Sequence, residues 1–297
     1  MNSNPLVSIV LASYNMGHYL PESVRTVLAQ TYENIEVIII DDGSTDDTEE
    51  QIKPLLVDSR LRYIKQENQG QPKAKNNGIK ASKGEYIAFC DGDDLWAPNK
   101  LEIQLPLFKD DPEVGVVYSE VSYIDDKGNP LDKEQPYERY SGKVTDKLIL
   151  KNFIPFGTAI VKKQCFDEMG LFDENLPMGI DWDLWLRLST RYKIMYIPAK
   201  TYIYRIWPGQ MSSNYRGRYH HAELIMNKFI RNNPGVLSQK IINRAWSDTY
   251  NSKGMAIAKA EQTIKEPLSN IVTALRHDIK YIPAWKSLVK IIIRRTR

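Results

Sequence analysis

Four short apolar runs set the limits on what this chain can fold into. Val7–Ser13, Ile35–Ile40, Leu61–Gln66 and Tyr86–Cys90 each have the length of one buried strand. The segments between them, 18–30, 46–56 and 72–81, read as helices; in the first of these Leu20, Val24, Val27 and Leu28 share a face. Strands alternating with helices of this length imply βαβ units and a parallel sheet. Right-handed crossovers then bring the carboxyl ends of the strands to one edge, where open α/β sheets bind ligands. The expected fold class is α/β and Rossmann-like, with a mostly parallel central sheet and helices on both faces.

That edge is acidic. The run Tyr86–Cys90 ends in Asp91, Gly92, Asp93 and Asp94. Three carboxylates at the end of a buried strand repel one another and are costly unless something positive joins them. Oxygen ligands suit magnesium or manganese, and Gly92 is expected to let the backbone turn so that Asp91 and Asp93 converge. A solvated turn that only caps the helix beginning near Pro98 is the plainer alternative. The same edge should collect Ser13-Tyr14-Asn15 and Asp41-Asp42, which makes a nucleotide-sized site with two acidic spots. There Asp42 is suited to accept hydrogen bonds from a base or ribose, and Tyr14 to pack against a base ring, unless Asp41 and Asp42 serve only as helix caps. The first turn, Ala12-Ser-Tyr-Asn-Met-Gly17, lacks the glycine fingerprint through which a pyrophosphate approaches in dinucleotide oxidoreductases.

Farther on, Val114–Ile124 reads as a strand, 125–129 as a turn, and 130–145, with Pro130 and Pro136, as a loop. A strand at Thr158–Val161, a helix at 163–169, and two short strands at 194–197 and 201–206 follow. Between them Met178–Leu188 has helical spacing and places Asp181 near a helix N-terminus. A carboxylate there stays ionised, as a general base must, although a simple N-cap has the same position.

The charge is uneven. Residues 216–297 hold 16 Lys/Arg against 5 Asp/Glu, and residues 1–215 hold 24 against 32. This divides the chain into an acidic front, 1–215, and a basic helical extension, 216–297, broken at Pro234, Pro267 and Pro283. In 284–297 Trp285, Leu288, Val289 and Ile292 project to one side, and Lys286, Lys290, Arg294 and Arg297 to another. Such a helix suits peripheral contact with an anionic membrane, or packing on the rest of the protein. No nucleic-acid motif accompanies the basic charge, so nucleic acid is not an expected partner. Two cysteines, Cys90 and Cys165, suit a reducing cytoplasm, on the inner face of the cytoplasmic membrane if the tail binds lipid. The apolar run 7–12 is too short for a signal peptide or a membrane span.

With these pieces in order, the chain resembles the family 2 glycosyltransferases, inverting enzymes with the glycosyltransferase A fold. The resemblance spans about residues 7–215. It rests on Val7-Ser-Ile-Val-Leu-Ala-Ser-Tyr-Asn15, Val37-Ile-Ile-Ile-Asp-Asp-Gly-Ser-Thr-Asp46 and Asn68-Gln-Gly-Gln-Pro-Lys-Ala-Lys-Asn-Asn-Gly78. It continues through Lys83-Gly-Glu-Tyr-Ile-Ala-Phe-Cys-Asp-Gly-Asp-Asp94, Ile180-Asp-Trp-Asp-Leu-Trp-Leu-Arg187 and Tyr204-Arg-Ile-Trp-Pro-Gly209. The resemblance implies that Asp42 binds the nucleobase of a nucleotide-diphosphate sugar, in a pocket shaped by Tyr14 and the backbone near Ala12. Lys75 would meet the phosphates, where the family often has Arg. Asp91 and Asp93 match the Asp-x-Asp motif, Asp93 touching Mn2+ or Mg2+, and Asp181 matches the base that deprotonates the acceptor. Asp94, Trp182 and Trp207 are the expected contacts to donor sugar or acceptor. Trp207 stands where many members carry a metal-binding His, and it cannot ligate. The implied acceptor is a glycan or lipid-linked hydroxyl of the bacterial surface type. A non-catalytic sugar-nucleotide or glycan-binding module, and a nucleotidyltransferase, are the alternatives; the latter class should bring a Gly-rich phosphate loop after the first strand, which this chain lacks.

Overall fold

The computed structural model describes residues 4–133, 137–210, 214–261 and 263–295. The chain divides into two units, Met1–Val144 with Phe153–Pro208, and Thr145–Asn152 with Gly209–Arg297. The division thus falls at Pro208, ahead of the boundary drawn from charge.

In the first unit β1 (Val7–Ser13), β2 (Ile35–Asp41), β3 (Leu61–Lys65) and β4 (Tyr86–Phe89) alternate with α1 (Leu20–Leu28), α2 (Thr48–Ile52) and α3 (Gln71–Ala81). Next come β5 (Leu95–Trp96), α4 (Lys100–Gln104), α5 (Leu107–Asp110), β6 (Val114–Ile124) and β7 (Pro130–Leu131). The short α6 (Thr145–Leu148) belongs to the second unit. The first unit resumes with β8 (Ile160–Lys162), α7 (Lys163–Met169), α8 (Ile180–Ser189) and β9 (Lys193–Arg205).

Among the described residues nine strands join one sheet in the order β3-β2-β1-β4-β8-β6-β9-β5, with β7 on β6. The β3-β2-β1-β4 half is parallel, as the βαβ pattern requires. Strands β1, β2 and β4 are buried on both faces, whereas the edge strand β3 exposes Arg62 and Lys65. The other half is mixed: β8 runs antiparallel to β4 and β6, β9 is parallel to β6, and β5 is antiparallel to β9. Every antiparallel pairing involves β5, β7 or β8, outside the βαβ series. Strand β8 enters from the long excursion after Ile124, which is not a helical crossover and so does not impose parallel entry.

Two boundaries also differ from expectation. The helix expected over 46–56 ends at Ile52 and tightens into a 3-10 turn at Lys53–Val57, where Pro54 supplies no backbone donor. The two strands expected at 194–197 and 201–206 are one strand, β9, paired with β6. Its register jumps from Ser119↔Ile197 to Glu120↔Lys200, so a bulge takes up Pro198 and Ala199. A proline cannot donate to the ladder, and the bulge keeps the strand continuous around it.

The second unit continues as α9 (Tyr215–Asn232), α10 (Gln239–Glu261), α11 (Lys265–His277) and α12 (Ile282–Arg295). Pro234 separates the first two, while Pro267 and Pro283 sit in the first turns of α11 and α12, where no N–H is needed. Ala258, Ile271, Ala274, Leu275, Tyr281, Ala284 and Ile291 form its core. Among the described residues no helix is long and apolar enough to cross a membrane.

A buried polar knot fastens α4 to the sheet. Lys100 Nζ donates to Gln104 Oε1 at 2.6 Å and to the Thr158 carbonyl at 2.7 Å, and Gln104 Nε2 donates to the carbonyls of Val117 and Thr158. Burial lowers the Lys100 pKa from 10.5 to about 7. The penalty for its charge is therefore complete below pH 7 and is relieved as pH rises toward the unfolded value. Relative to a Lys100→Met variant, the native chain should gain thermal stability between pH 7 and 9. A difference in melting temperature that stays constant over this range would show that the lysine does not lose its charge there.

Candidate active site

The loops at the carboxyl ends of β1 and β2 are stitched together. Asn15 has φ of 52°, a left-handed conformation that Asn tolerates, and its N–H donates to Ser44 Oγ at 2.9 Å. Its side-chain oxygen accepts from Thr45 N–H at 2.8 Å. Asp41 accepts from Ser44 N–H and from the Tyr63 hydroxyl. The N-cap of α2 is Asp47, and the preceding Asp46 accepts from Thr48 N–H and hydroxyl and from Gly17 N–H. Asp41 and Asp42 are thus not the caps of that helix.

Asp42 is 4% exposed and accepts from Gln66 Nε2, Gln69 N–H and Gly70 N–H at 2.7–2.9 Å. It pins the loop that leads into α3. An ionised carboxylate has about four acceptor positions, so these three bonds leave one unused. Tyr14 beside it is 47% exposed, with its ring open, and Ala12 is half-buried at the end of β1. Ser13 Oγ is buried without a hydrogen-bond partner.

The three carboxylates after β4 are handled separately. Asp91 pairs with Lys75 Nζ of α3 at 2.6 Å; the lysine side chain is 3% exposed and the aspartate 30%. That ammonium also lies 3.9 Å from the Phe156 ring centroid. Asp93 Oδ2 accepts from Trp207 Nε1 at 2.7 Å, and the Trp207 ring leans on Tyr19. Asp94 is 1% exposed and accepts from the Tyr202 hydroxyl at 2.7 Å and Arg205 N–H at 2.8 Å. Burial, then the like charges of Asp93 and Asp91, push its pKa well above the usual carboxylate range; the two hydrogen bonds pull against this. A contact from Asp94 to a sugar is therefore not open in this structure. It is a strut inside the turn.

Arg205 completes the support: its Nε donates to the Asp93 carbonyl at 2.9 Å and its terminal nitrogen to Glu22 Oε2 of α1 at 2.6 Å. Tyr202 reaches under the turn because Gly157 has no side chain; a Cβ there would lie 2.0 Å from the phenol ring. The turn itself does not demand glycine at 92. Gly92 has no left-handed φ, and a Cβ would meet its neighbours at no less than 3.4 Å.

Asp181 lies in the first turn of α8, after Gly179, whose left-handed φ of 76° favours glycine. Trp182 is 9% exposed, which leaves little ring for the expected sugar contact. Trp185, one turn beyond Asp181, packs near Phe156, the ring beneath Lys75. Asn76 of α3 holds the loop before α8 through Phe172 and Glu174, and Arg187 holds it from behind through the carbonyls of Met169, Gly170 and Leu171. By these links α3 carries both the partner of Asp91 and the anchor of the Asp181 segment.

The sequence model of glycosyl transferase family 2 matches residues 8–170. The chain belongs to that family. An uncharacterized glycosyltransferase of Rickettsia bellii is 41% identical over 187 residues, covering 62% of this chain and 26% of that protein. The chain spans at most 61% of four further rickettsial glycosyltransferases. Among solved structures, Staphylococcus aureus TarS 1–349 in complex with UDP-GlcNAc superposes with a TM-score of 0.70 at 18% identity, over 91% of this chain and 81% of that one. A mannosyltransferase of Pyrobaculum calidifontis in complex with GDP-Man and Mn2+ gives 0.65 at 17%, over 98% and 86%. The glycosyltransferase A fold is common to all three.

In this family 2 chain, no group of three or more His, Cys, Asp or Glu side chains among the described residues is gathered for a metal. Asp91 and Asp93, both partly open, offer two carboxylates. That fits magnesium or manganese, which keep several waters and take one or two carboxylates beside substrate phosphates. Sequence reasoning missed the support from Tyr202, Arg205 and Glu22. Arg205 stood in the Tyr-Arg motif, but Glu22 carried no signal. Lys75→Met should leave Asp91 without its counter-charge and destabilise the fold by about 2–4 kcal/mol, measured by urea unfolding, since losing one partner of a mostly buried pair strands the other.

Proposed function

We propose that this chain transfers a sugar, with inversion, from a nucleotide-diphosphate donor to a hydroxyl of a glycan or lipid-linked acceptor. The observation that carries this reading is the placing of Tyr14, Asp42 and the Asp91–Asp93 turn at the carboxyl ends of three adjacent parallel strands. The open Tyr14 ring packs on the base, and the remaining acceptor position of Asp42 takes a base N–H. UDP is the preferred carrier, in keeping with the UDP-GlcNAc held by the TarS structure.

Asp181 takes the proton of the acceptor hydroxyl. The oxygen then attacks the anomeric carbon from the face opposite the diphosphate, whose bond to that carbon breaks. Asp181 stands in the first turn of α8, where the helix N-terminus favours negative charge. Asp93, with Asp91 beside it, would hold Mn2+ or Mg2+, which would supply positive charge against the departing diphosphate. Trp207, which holds Asp93 Oδ2, replaces a ligand with a donor and stands where it can flank the donor sugar. The basic final helix adds a peripheral contact with an anionic membrane, which suits a lipid-linked acceptor.

Two variants test the assignment. Asp181→Asn should lose roughly a hundredfold or more in turnover while calorimetric binding of UDP with manganese is unchanged. Equal loss of binding would make Asp181 structural, and no loss of either would make the chain a binding module. Trp207→Phe keeps an aromatic ring but removes the N–H that competes for Asp93. Its manganese affinity should rise roughly fivefold, the worth of one hydrogen bond. An affinity unchanged or lowered would place the metal elsewhere.

A further inference from the structure

The face of α12 that the fold leaves uncovered differs from the one read from sequence. Ala284, Ser287 and Ile291 are buried, and Leu288 packs against the same core. Ile282, Trp285, Val289, Ile292 and Ile293 recur at helical spacing on the opposite side and are 44–63% exposed, with Ile279 just before them at 62%. These six are nearly half of the thirteen large hydrophobic residues exposed among the described residues, so the exposure is a patch and not a scatter. Leu288 therefore belongs to the inner face. Arg297 lies outside the described residues.

The patch has a charged border. Lys286 and Lys290 follow the apolar stripe along one flank of α12, and Arg276 and Lys280 stand exposed before it. The one acid in the stretch 276–293, Asp278, is engaged by Arg244 at 3.3 Å. The Trp285 indole N–H is satisfied by the Ile279 carbonyl at 2.8 Å, so its half-exposed ring carries no unmet donor. An apolar stripe with cations on its flank is complementary to a surface that is apolar inside and anionic at its headgroups.

We infer that α12 docks the chain on an anionic lipid bilayer, with Ile282, Trp285, Val289, Ile292 and Ile293 entering the acyl boundary and Lys286 and Lys290 meeting the headgroups. The contact is peripheral, because the helix keeps its other face on the core of its own unit. It deepens the lipid-linked acceptor of the proposed reaction, and its test does not depend on turnover.

The test is co-sedimentation of the full chain with vesicles of phosphatidylcholine, with and without phosphatidylglycerol, at low and high salt. Binding should require phosphatidylglycerol and weaken with salt. Val289→Asp with Ile292→Asp should reduce it roughly tenfold or more, since charges replace the inserted side chains. Lys286→Gln and Lys290→Gln should each reduce it roughly fivefold. All replaced residues are exposed, and unchanged melting temperature and UDP binding show that the variants are folded. No binding to either vesicle, or binding that ignores both sets of variants, overturns the inference. So does a dimer in sedimentation that the Val289→Asp/Ile292→Asp variant abolishes, because a second copy would then cover the stripe. Failure here leaves nucleotide binding and the Asp181→Asn result untouched.

Discussion

Repulsion among Asp91, Asp93 and Asp94 is the problem around which the first unit is arranged. Three carboxylates within one turn at the end of a buried strand need counter-charge, donors or protons, and the fold supplies each in turn. A buried lysine from α3 faces the first. An indole from the segment after β9 faces the second. The third is drawn inside, where a phenol and a backbone N–H hold it and its pKa rises. Elements far apart in the chain, α3, β9 and the segment after β9, are committed to one short loop.

This disposition separates atoms that are closed from atoms that remain usable. Asp94 and Tyr202 are sealed, and their work is to fix the backbone of the turn. Asp91 and Asp93 keep an open side, and Asp42 keeps one acceptor position after pinning the loop into α3. The loops around it already hold one another through Asn15, Ser44 and Thr45.

The parallel half of the fold was legible because its signals are local. Apolar runs, helical spacing and turn residues lie close together in 7–90, and β1, β2, β3 and β4 begin and end within a residue of where they were read. The identity of the acidic turn was legible for the same reason. What lies across the sheet was not. The exposure of Asp94, the buried lysine–aspartate pair and the Glu22–Arg205 strut depend on contacts between residues 16 to 183 positions apart, and no short pattern encodes them. The outer face of α12 was misread at Leu288 for a related reason. A helix with apolar residues on two sides does not declare which side its own unit will take.

The bulge in β9 gives that strand two halves with separate duties. Before it, Ile194–Ile197 lie against the buried body of β6; after it, Tyr202 and Arg205 hold the acidic turn. In an unbroken ladder, an added or lost residue would turn every later side chain to the other face. Here the register shifts on both sides of Lys200, taking up Pro198 and Ala199 before it and Thr201 after it, so the slack lies ahead of Tyr202. The strand acts as a splined joint: its scaffold end can vary in length while its working end keeps phase with the site.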